Sequence, residues 1–209
     1  MSEEGPVARS PITPAPPVVV EQGWEVSARH GTAPLRISDA SPLTKVLVRA
    51  PETGQAREAL GVPFGRAART LDGMLVVGSG PGEWLVLAAP NQQAETVARV
   101  GQAAGDDEFV SVFDITHGRA LVRLTGAAAA GVLSKLCAID LSDTITPDGA
   151  AFRSSVAKLV TDVIRDDQAG ARSYLLHCER SSGQYLFDAL LDAGEEFGID
   201  FAGFTFPGI

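Results

Sequence analysis

Asp114-Ile115-Thr116-His117 sets a carboxylate and an imidazole three residues apart, a spacing that suits an acid/base pair. No nucleophile stands nearby in the sequence, and Asp114 serves equally well as the cap of a turn before Arg119. His177 and Cys178 are consecutive in a segment that reads as a strand, so their side chains point to opposite faces and do not share a metal. His30, the remaining histidine, lies near the N-terminus. Asp162, flanked by Val160, Val163 and Ile164, reads as a partly buried structural carboxylate, and Asp166-Asp167 as a solvated loop. Gly78-Ser79-Gly80-Pro81-Gly82 has the glycines of a phosphate loop, but such a loop must open a helix so that backbone amides meet the phosphate. A strand follows here and Pro81 lacks a donor, which makes the stretch a hairpin turn. The residues themselves therefore assign no catalytic, cofactor-binding or metal-ligating position.

The elements that carry these residues repeat. Alternation over Ala120 to Leu124 predicts a strand, Thr125 a helix cap, and Ala129, Val132, Leu133 and Leu136 the apolar face of a helix over Gly126 to Cys137. The same phrase occurs earlier: Leu47-Val48-Arg49 matches Leu121-Val122-Arg123, and Thr53 precedes a helix to Leu60. Trp84-Leu85-Val86-Leu87, running to a cap at Asn91, matches Tyr174-Leu175-Leu176-His177, running to one at Ser181. The first half reads as strand Thr44 to Arg49, helix Thr53 to Leu60, strands Met74 to Val77 and Glu83 to Ala88, helix Gln92 to Ala104 and a strand within Phe109 to Ile115. The second reads as strand Arg119 to Leu124, helix Gly126 to Cys137, strands within Ser155 to Ile164 and Arg172 to Cys178, and helix Gly183 to Phe197. That last helix should bury Leu186, Ala189, Leu190, Ala193 and Phe197, with Ser181 and Gln184 at capping-box spacing. The extra residues of the second half fall most simply in 138–152. The expected fold class is α+β: two ferredoxin-like β-α-β-β-α-β halves from an internal duplication, about 41–110 and 111–204, forming a single domain over 41–209.

Residues 1–40 read differently, as a Pro-rich extended or disordered arm. Six of the thirteen prolines fall before residue 35, and Val18 to Val20 shows no helical periodicity. Deleting residues 1–25 is accordingly expected to leave the domain's melting temperature nearly unchanged while weakening its hold on a partner. The formal charge of −9 is uneven, at −2 over 1–40, 0 over 41–106 and −7 over 107–209. Only Lys135 and Lys158 provide lysine in the second half, which excludes the clustered basic face of a nucleic-acid binder. No apolar run reaches the roughly 18–20 residues of a bilayer span, and Glu3 and Glu4 stand where a secretory signal is basic, so a cytoplasmic chain is expected. Cys137 and Cys178 are expected as reduced core thiols.

Taken together, GEWLVL at Gly82 to Leu87, FDITHGRALVRLTG at Phe113 to Gly126, VLSKLCAIDLS at Val132 to Ser142, P-x-G-x-x-x-R at Pro147 to Arg153 and HCERSSGQYLFDALLDAG at His177 to Gly194 resemble the gamma subunit of heterotetrameric sarcosine oxidase. That family is related in fold to the folate-binding aminomethyltransferases of glycine cleavage, which carry D-V-S-H-M where this chain has Asp114 to Gly118. Their folate site adds a glycine-rich stretch leading into a paired-acid motif; Ser154 to Ile164 lacks the stretch and offers Thr161-Asp162. The resemblance implies a non-catalytic chain in a complex that demethylates sarcosine to glycine, with tetrahydrofolate taking the one-carbon unit and hydrogen peroxide as product. It implies larger alpha and beta subunits and a small delta subunit as partners. FAD, FMN, NAD and tetrahydrofolate would belong to those partners and none to this chain. The alternative is a free-standing folate-binding aminomethyltransferase-like protein.

Overall fold

The structure, a computed structural model, describes residues 6–105 and 109–209. The first five residues of the expected arm and residues 106–108, beside the expected boundary between the halves, lie outside them. Four strands precede the first expected one: β1 (Ala8–Arg9), β2 (Val18–Glu21), β3 (Trp24–Ser27) and β4 (Arg36–Asp39). The first half follows as β5 (Thr44–Arg49), α1 (Gln55–Leu60), β6 (Ala67–Arg69), β7 (Leu75–Gly80), β8 (Glu83–Ala88) and α2 (Gln93–Ala104). The second is β9 (Ser111–Asp114), β10 (Arg119–Thr125), α3 (Ala129–Ser134), β11 (Ala151–Val156), β12 (Leu159–Arg165), β13 (Ser173–Glu179), α4 (Gly183–Gly194) and a short β14 (Asp200–Phe201).

Two sheets face each other with helices outside, because each strand alternates between two apolar environments. One sheet runs β6-β7-β8-β5-β9 and the other β11-β12-β13-β10-β4-β14. Val46, Val48, Trp84 and Val86 pack outward with Ala56, Val100 and Ala104 of α1 and α2. Val122, Leu124, Tyr174 and Leu176 pack outward with Val132, Leu133, Leu186, Phe187 and Leu190 of α3 and α4. Leu75, Leu85 and Leu87 meet Leu121, Ile164 and Leu175 in the layer between the sheets. The result is four layers, helix, sheet, sheet, helix.

The duplication is visible in matching strand orders, β6-β7-β8-β5 against β11-β12-β13-β10, with two departures from the expected halves. Each has an additional edge strand, β6 or β11. The second half is also closed by β4, a strand from the expected arm, which pairs antiparallel with β10, while β14 lies one place further out. Since β4 precedes β5 as β9 precedes β10, each half lends its leading strand to the other half's sheet. The two crossings are built alike. Asp39 Oδ1 accepts from Ser41 N and Asp114 Oδ1 from Thr116 N, both at 2.9 Å. Ser41 Oγ then receives Leu121 N at 3.1 Å, and Thr116 Oγ1 receives Lys45 N at 3.0 Å. This equates Lys45 with Leu121, and the pairing of Trp84 with Val48 and Tyr174 with Leu124 equates Val48 with Leu124. The Leu-Val-Arg match is therefore two residues out of register; a slip of two leaves every side chain on its own face, so alternation alone does not expose it.

The arm is the larger correction. Residues 6–40 are laid down as a three-stranded sheet, β1-β3-β2, plus β4 inside the domain, so the domain does not begin at residue 41. Ile12, Trp24, Leu35 and Ile37 are all buried, and Trp24 stacks on His117 with ring centroids 5.1 Å apart. Thr13 N donates to Gln184 Oε1 at 2.7 Å, so Gln184 holds the arm instead of completing a capping box. The six prolines all lie outside the four strands, where their missing N–H removes no ladder hydrogen bond.

Smaller differences have local causes. Gly126, with φ +142°, carries the chain where a side chain would sit 2.2 Å from the carbonyl oxygen of Pro34; that crossing of the arm delays α3 to Ala129, and Thr125 stays in the strand, its hydroxyl against Ser173 Oγ at 3.0 Å. Gly78–Gly82 is a hairpin as expected, tightened to Pro81-Gly82, where Gly82 has φ +63° and a Cβ would meet Ala50 O at 2.3 Å. In α4 it is Phe187 that is buried, and Phe197 stays partly exposed beneath the Lys135 ammonium, 5.4 Å from its ring centre. The extra residues of the second half divide between 135–150, after α3, and 166–172, between β12 and β13. Among the described residues no helix is long and apolar enough to cross a membrane.

Candidate functional site

At one end of the inter-sheet layer the apolar residues give way to charge. The residues facing inward there are Leu47, Arg49, Glu83 and Leu85 from one sheet and Arg119, Arg153, Asp162 and His177 from the other, around a cavity of about 210 Å³. Register builds the polar row: Arg153 lies opposite Asp162 across β11 and β12, and Asp162 opposite His177 across β12 and β13. Arg153 Nε donates to Asp162 Oδ1 at 2.6 Å, and its Nη2 donates to Asp162 Oδ2 at 3.3 Å and, across the gap, to Glu83 Oε1 at 3.0 Å. His177 Nδ1 stands 3.1 Å from Asp162 Oδ2, and Arg49 Nη2 3.1 Å from Glu83 Oε2. Arg119 pairs with Glu179 at the rim.

Burial and pairing compete at Asp162. Desolvation raises its carboxyl, but the hydrogen bonds from His177 and Arg153 outweigh it and leave Asp162 below the usual carboxylate range. Burial lowers the His177 imidazole more than Asp162 restores it. The pair is thus an ionised carboxylate accepting from the Nδ1–H of a neutral ring, with His177 Nε2 buried and unpartnered among the described residues. Its pH dependence follows. The unfolded chain protonates His177 near its ordinary 6.5 while the folded ring stays neutral, so stability is full above that value and falls as pH drops below it. Asp162 adds to the loss at lower pH, since its stabilisation is present above the ordinary 3.8 and disappears as pH falls through its folded value. Urea unfolding should show stability declining between pH 6.5 and 5, with a flatter dependence in His177→Gln; equal slopes in the two proteins would refute this origin.

Of the residues that the sequence singles out for chemistry, Asp162 and His177 meet and the others stay apart. Asp114 caps the turn at Thr116, as the alternative reading of it holds. His117 is turned toward Trp24 in the arm sheet, and His30 is exposed. Asp162 and His177 come together, a pairing that needs the register of the β12–β13 hairpin and has no signature in residue spacing. Glu83, Arg49 and Arg153 complete the cluster, and the polar positions at alternate places in otherwise apolar strands were the available signal. Asp166 is not solvated: it is buried, with Arg69 Nη2 at 2.8 Å and Arg123 Nη1 at 3.0 Å. Lys45 is fully buried at the crossing, its Nζ donating to Ser41 O and Leu43 O at 2.7 Å each, and burial brings its ammonium down to about 7. Both cysteines are buried and unpaired, and desolvation pushes the Cys178 thiol up to about 11.

The folate group that the aminomethyltransferase resemblance raises can be tested on Asp162. Both of its oxygens are already held by the chain's own Arg153 and His177. That carboxylate is thus engaged within the chain and is not open to an outside ligand.

Comparison with known proteins agrees with the fold. Residues 38–206 match the family described as GCVT N-terminal domain. Sarcosine oxidase subunit gamma from Corynebacterium sp. (strain P-1) is 30% identical over 185 residues, which are 84% of this chain and 88% of that one. An aminomethyltransferase from Geobacillus thermodenitrificans is also 30% identical, but over 133 residues, 64% of this chain and 36% of that protein; the chain thus spans only about a third of that relative's length. Among solved structures, heterotetrameric sarcosine oxidase from Corynebacterium sp. U-96 aligns with TM-score 0.67 at 26% identity, covering 83% of this chain and 85% of the matched one. The glycine cleavage system aminomethyltransferase T from Bartonella henselae aligns with TM-score 0.68 at 15% identity, over 89% of this chain and 55% of that one, a likeness of fold.

Proposed function

Because this chain belongs to the GCVT N-terminal domain family and, within it, to the family of sarcosine oxidase subunit gamma, we propose that it is the non-catalytic gamma subunit of a heterotetrameric sarcosine oxidase. The observation that carries this reading is length: the chain and the gamma subunit match over nearly the whole of both, 84% and 88%, whereas the aminomethyltransferase extends far beyond the match. The complex would oxidatively demethylate sarcosine to glycine in the cytoplasm, with tetrahydrofolate accepting the one-carbon unit and hydrogen peroxide as product. Alpha and beta subunits and a small delta subunit would be its partners, and FAD, FMN, NAD and tetrahydrofolate would reside in them. The closed Asp162 cluster supports a structural role over that of a free-standing folate-binding aminomethyltransferase.

The surface also supports a subunit. β2 is an edge strand, and its Val18, Val19 and Val20 are all exposed, Val20 by 59%. Three consecutive apolar side chains on an open sheet edge are what an assembly covers and a free monomer avoids. The tagged chain, expressed with the neighbouring genes, should retain flavin-bearing subunits, and peroxide formation from sarcosine should follow those subunits. Sarcosine-dependent peroxide from the isolated chain, or a monomer that binds tetrahydrofolate and retains no flavoprotein, would overturn the reading.

A further inference from the structure

The arrangement around Arg153 has an order that the subunit reading does not require. Arg153 rises from β11, an edge strand, and its side chain remains 46% exposed while those of Asp162 and Glu83 are 13% and 16% exposed. The two carboxylates belong to opposite sheets and each has one oxygen held independently of Arg153: Asp162 Oδ2 by His177 and Glu83 Oε2 by Arg49. The other two oxygens, Asp162 Oδ1 and Glu83 Oε1, are bridged by the single planar fork of Arg153, with the Ser79 hydroxyl also donating to Glu83 Oε1 at 3.3 Å. Beside it lies the cavity of about 210 Å³, with His177 in its wall and His177 Nε2 still lacking a partner among the described residues.

We propose that Asp162 and Glu83 form a binding site for a planar amidinium or guanidinium group, and that Arg153 is a built-in occupant keeping this site closed to outside ligands. Two inward carboxylate oxygens on facing walls, each pre-oriented by a second partner, match a flat cation with two or more N–H donors better than a compact ammonium. The bond pattern of the bound group is displayed by Arg153 itself. Removing its side chain leaves the walls and their holders in place, with unpaired negative charge facing the cavity.

The proposal is independent of the subunit reading, and its test needs no catalysis. Full-length Arg153→Ala and the unaltered chain are titrated with acetamidinium chloride and with ethylammonium chloride, following thermal unfolding and calorimetric binding at matched ionic strength. Acetamidinium should raise the melting temperature of Arg153→Ala saturably, with a half-effect concentration about tenfold below that of ethylammonium, and should leave the unaltered chain unmoved. Arg153→Gln, which retains a side chain in the gap, is titrated in parallel so that a poorly folding alanine variant does not decide the outcome. Adding Glu83→Gln to either variant should weaken acetamidinium binding at least about tenfold by removing one wall. Absence of any saturable shift in both Arg153 variants, an equal response to ethylammonium, or binding undiminished by Glu83→Gln would each overturn it.

Discussion

Trp24→Ala should cost about 3–5 kcal/mol, the range for removing a buried tryptophan, and lower the melting temperature by roughly 6–20 °C in a chain of this size. Trp24 is 1% exposed, stacks on His117 with the rings 14° from parallel, and lies in β3, the central strand of the arm sheet. Ile12, in the same arm, belongs to the core that α3 and α4 cover, so the arm is part of the domain's apolar interior. Deleting residues 1–25 should therefore destabilise the chain, contrary to the expectation that composition alone suggests. Val19→Ser, on the exposed edge of the same sheet, should change stability by less than about 0.5 kcal/mol. A Trp24→Ala protein that melts within about 2 °C of the parent, equivalent to less than about 1 kcal/mol, would return the arm to the status of a loose tail.

Asp166→Ala should be comparably damaging, at about 3–5 kcal/mol, because it strands the charge of a largely buried arginine. Asp166 joins Arg123, whose side chain is 8% exposed, to Arg69 on the facing sheet. Burial already opposes the charge on Arg123, and Asp166 is what offsets it. Arg69, more open to solvent, loses less. Asp166→Ala combined with Arg123→Met should recover much of the loss, since a paired deletion leaves no uncompensated buried charge. Chemical denaturation of the four proteins measures the coupling, and a single-mutant cost below about 1 kcal/mol would place this cluster among ordinary surface pairs.

What the sequence made legible was whatever is written locally. The apolar runs in Thr44 to Arg49 and Arg119 to Leu124, buried along nearly their whole length, and the apolar spacing of Leu186 and Leu190, express the burial that those elements undergo. The repeat could be read because both halves bury the same kind of surface, and the motifs from Gly82 to Gly194 led to the right family. The arm was misread because proline and valine content does not distinguish an extended segment in water from one laid on a sheet. Trp24 stacks on His117, and Thr13, next to Ile12, is held by Gln184, partners more than 90 positions away. The charge cluster was hidden for a related reason: Arg153, Asp162 and His177 meet only once three strands are in register, and Glu83 joins them from another sheet.

The exchange of leading strands sets how the chain can be made and cut. On a ribosome β4 emerges early and finds no partner until residues 40–118 have followed and β10 appears, while β5 waits through residues 50–110 for β9. Neither half can finish its sheet from its own sequence, so the duplication has left two similar halves but one folding unit. A protease that severed the connection near residue 105 would release fragments with an open sheet edge each, able to close only on one another or on a second copy of the same chain.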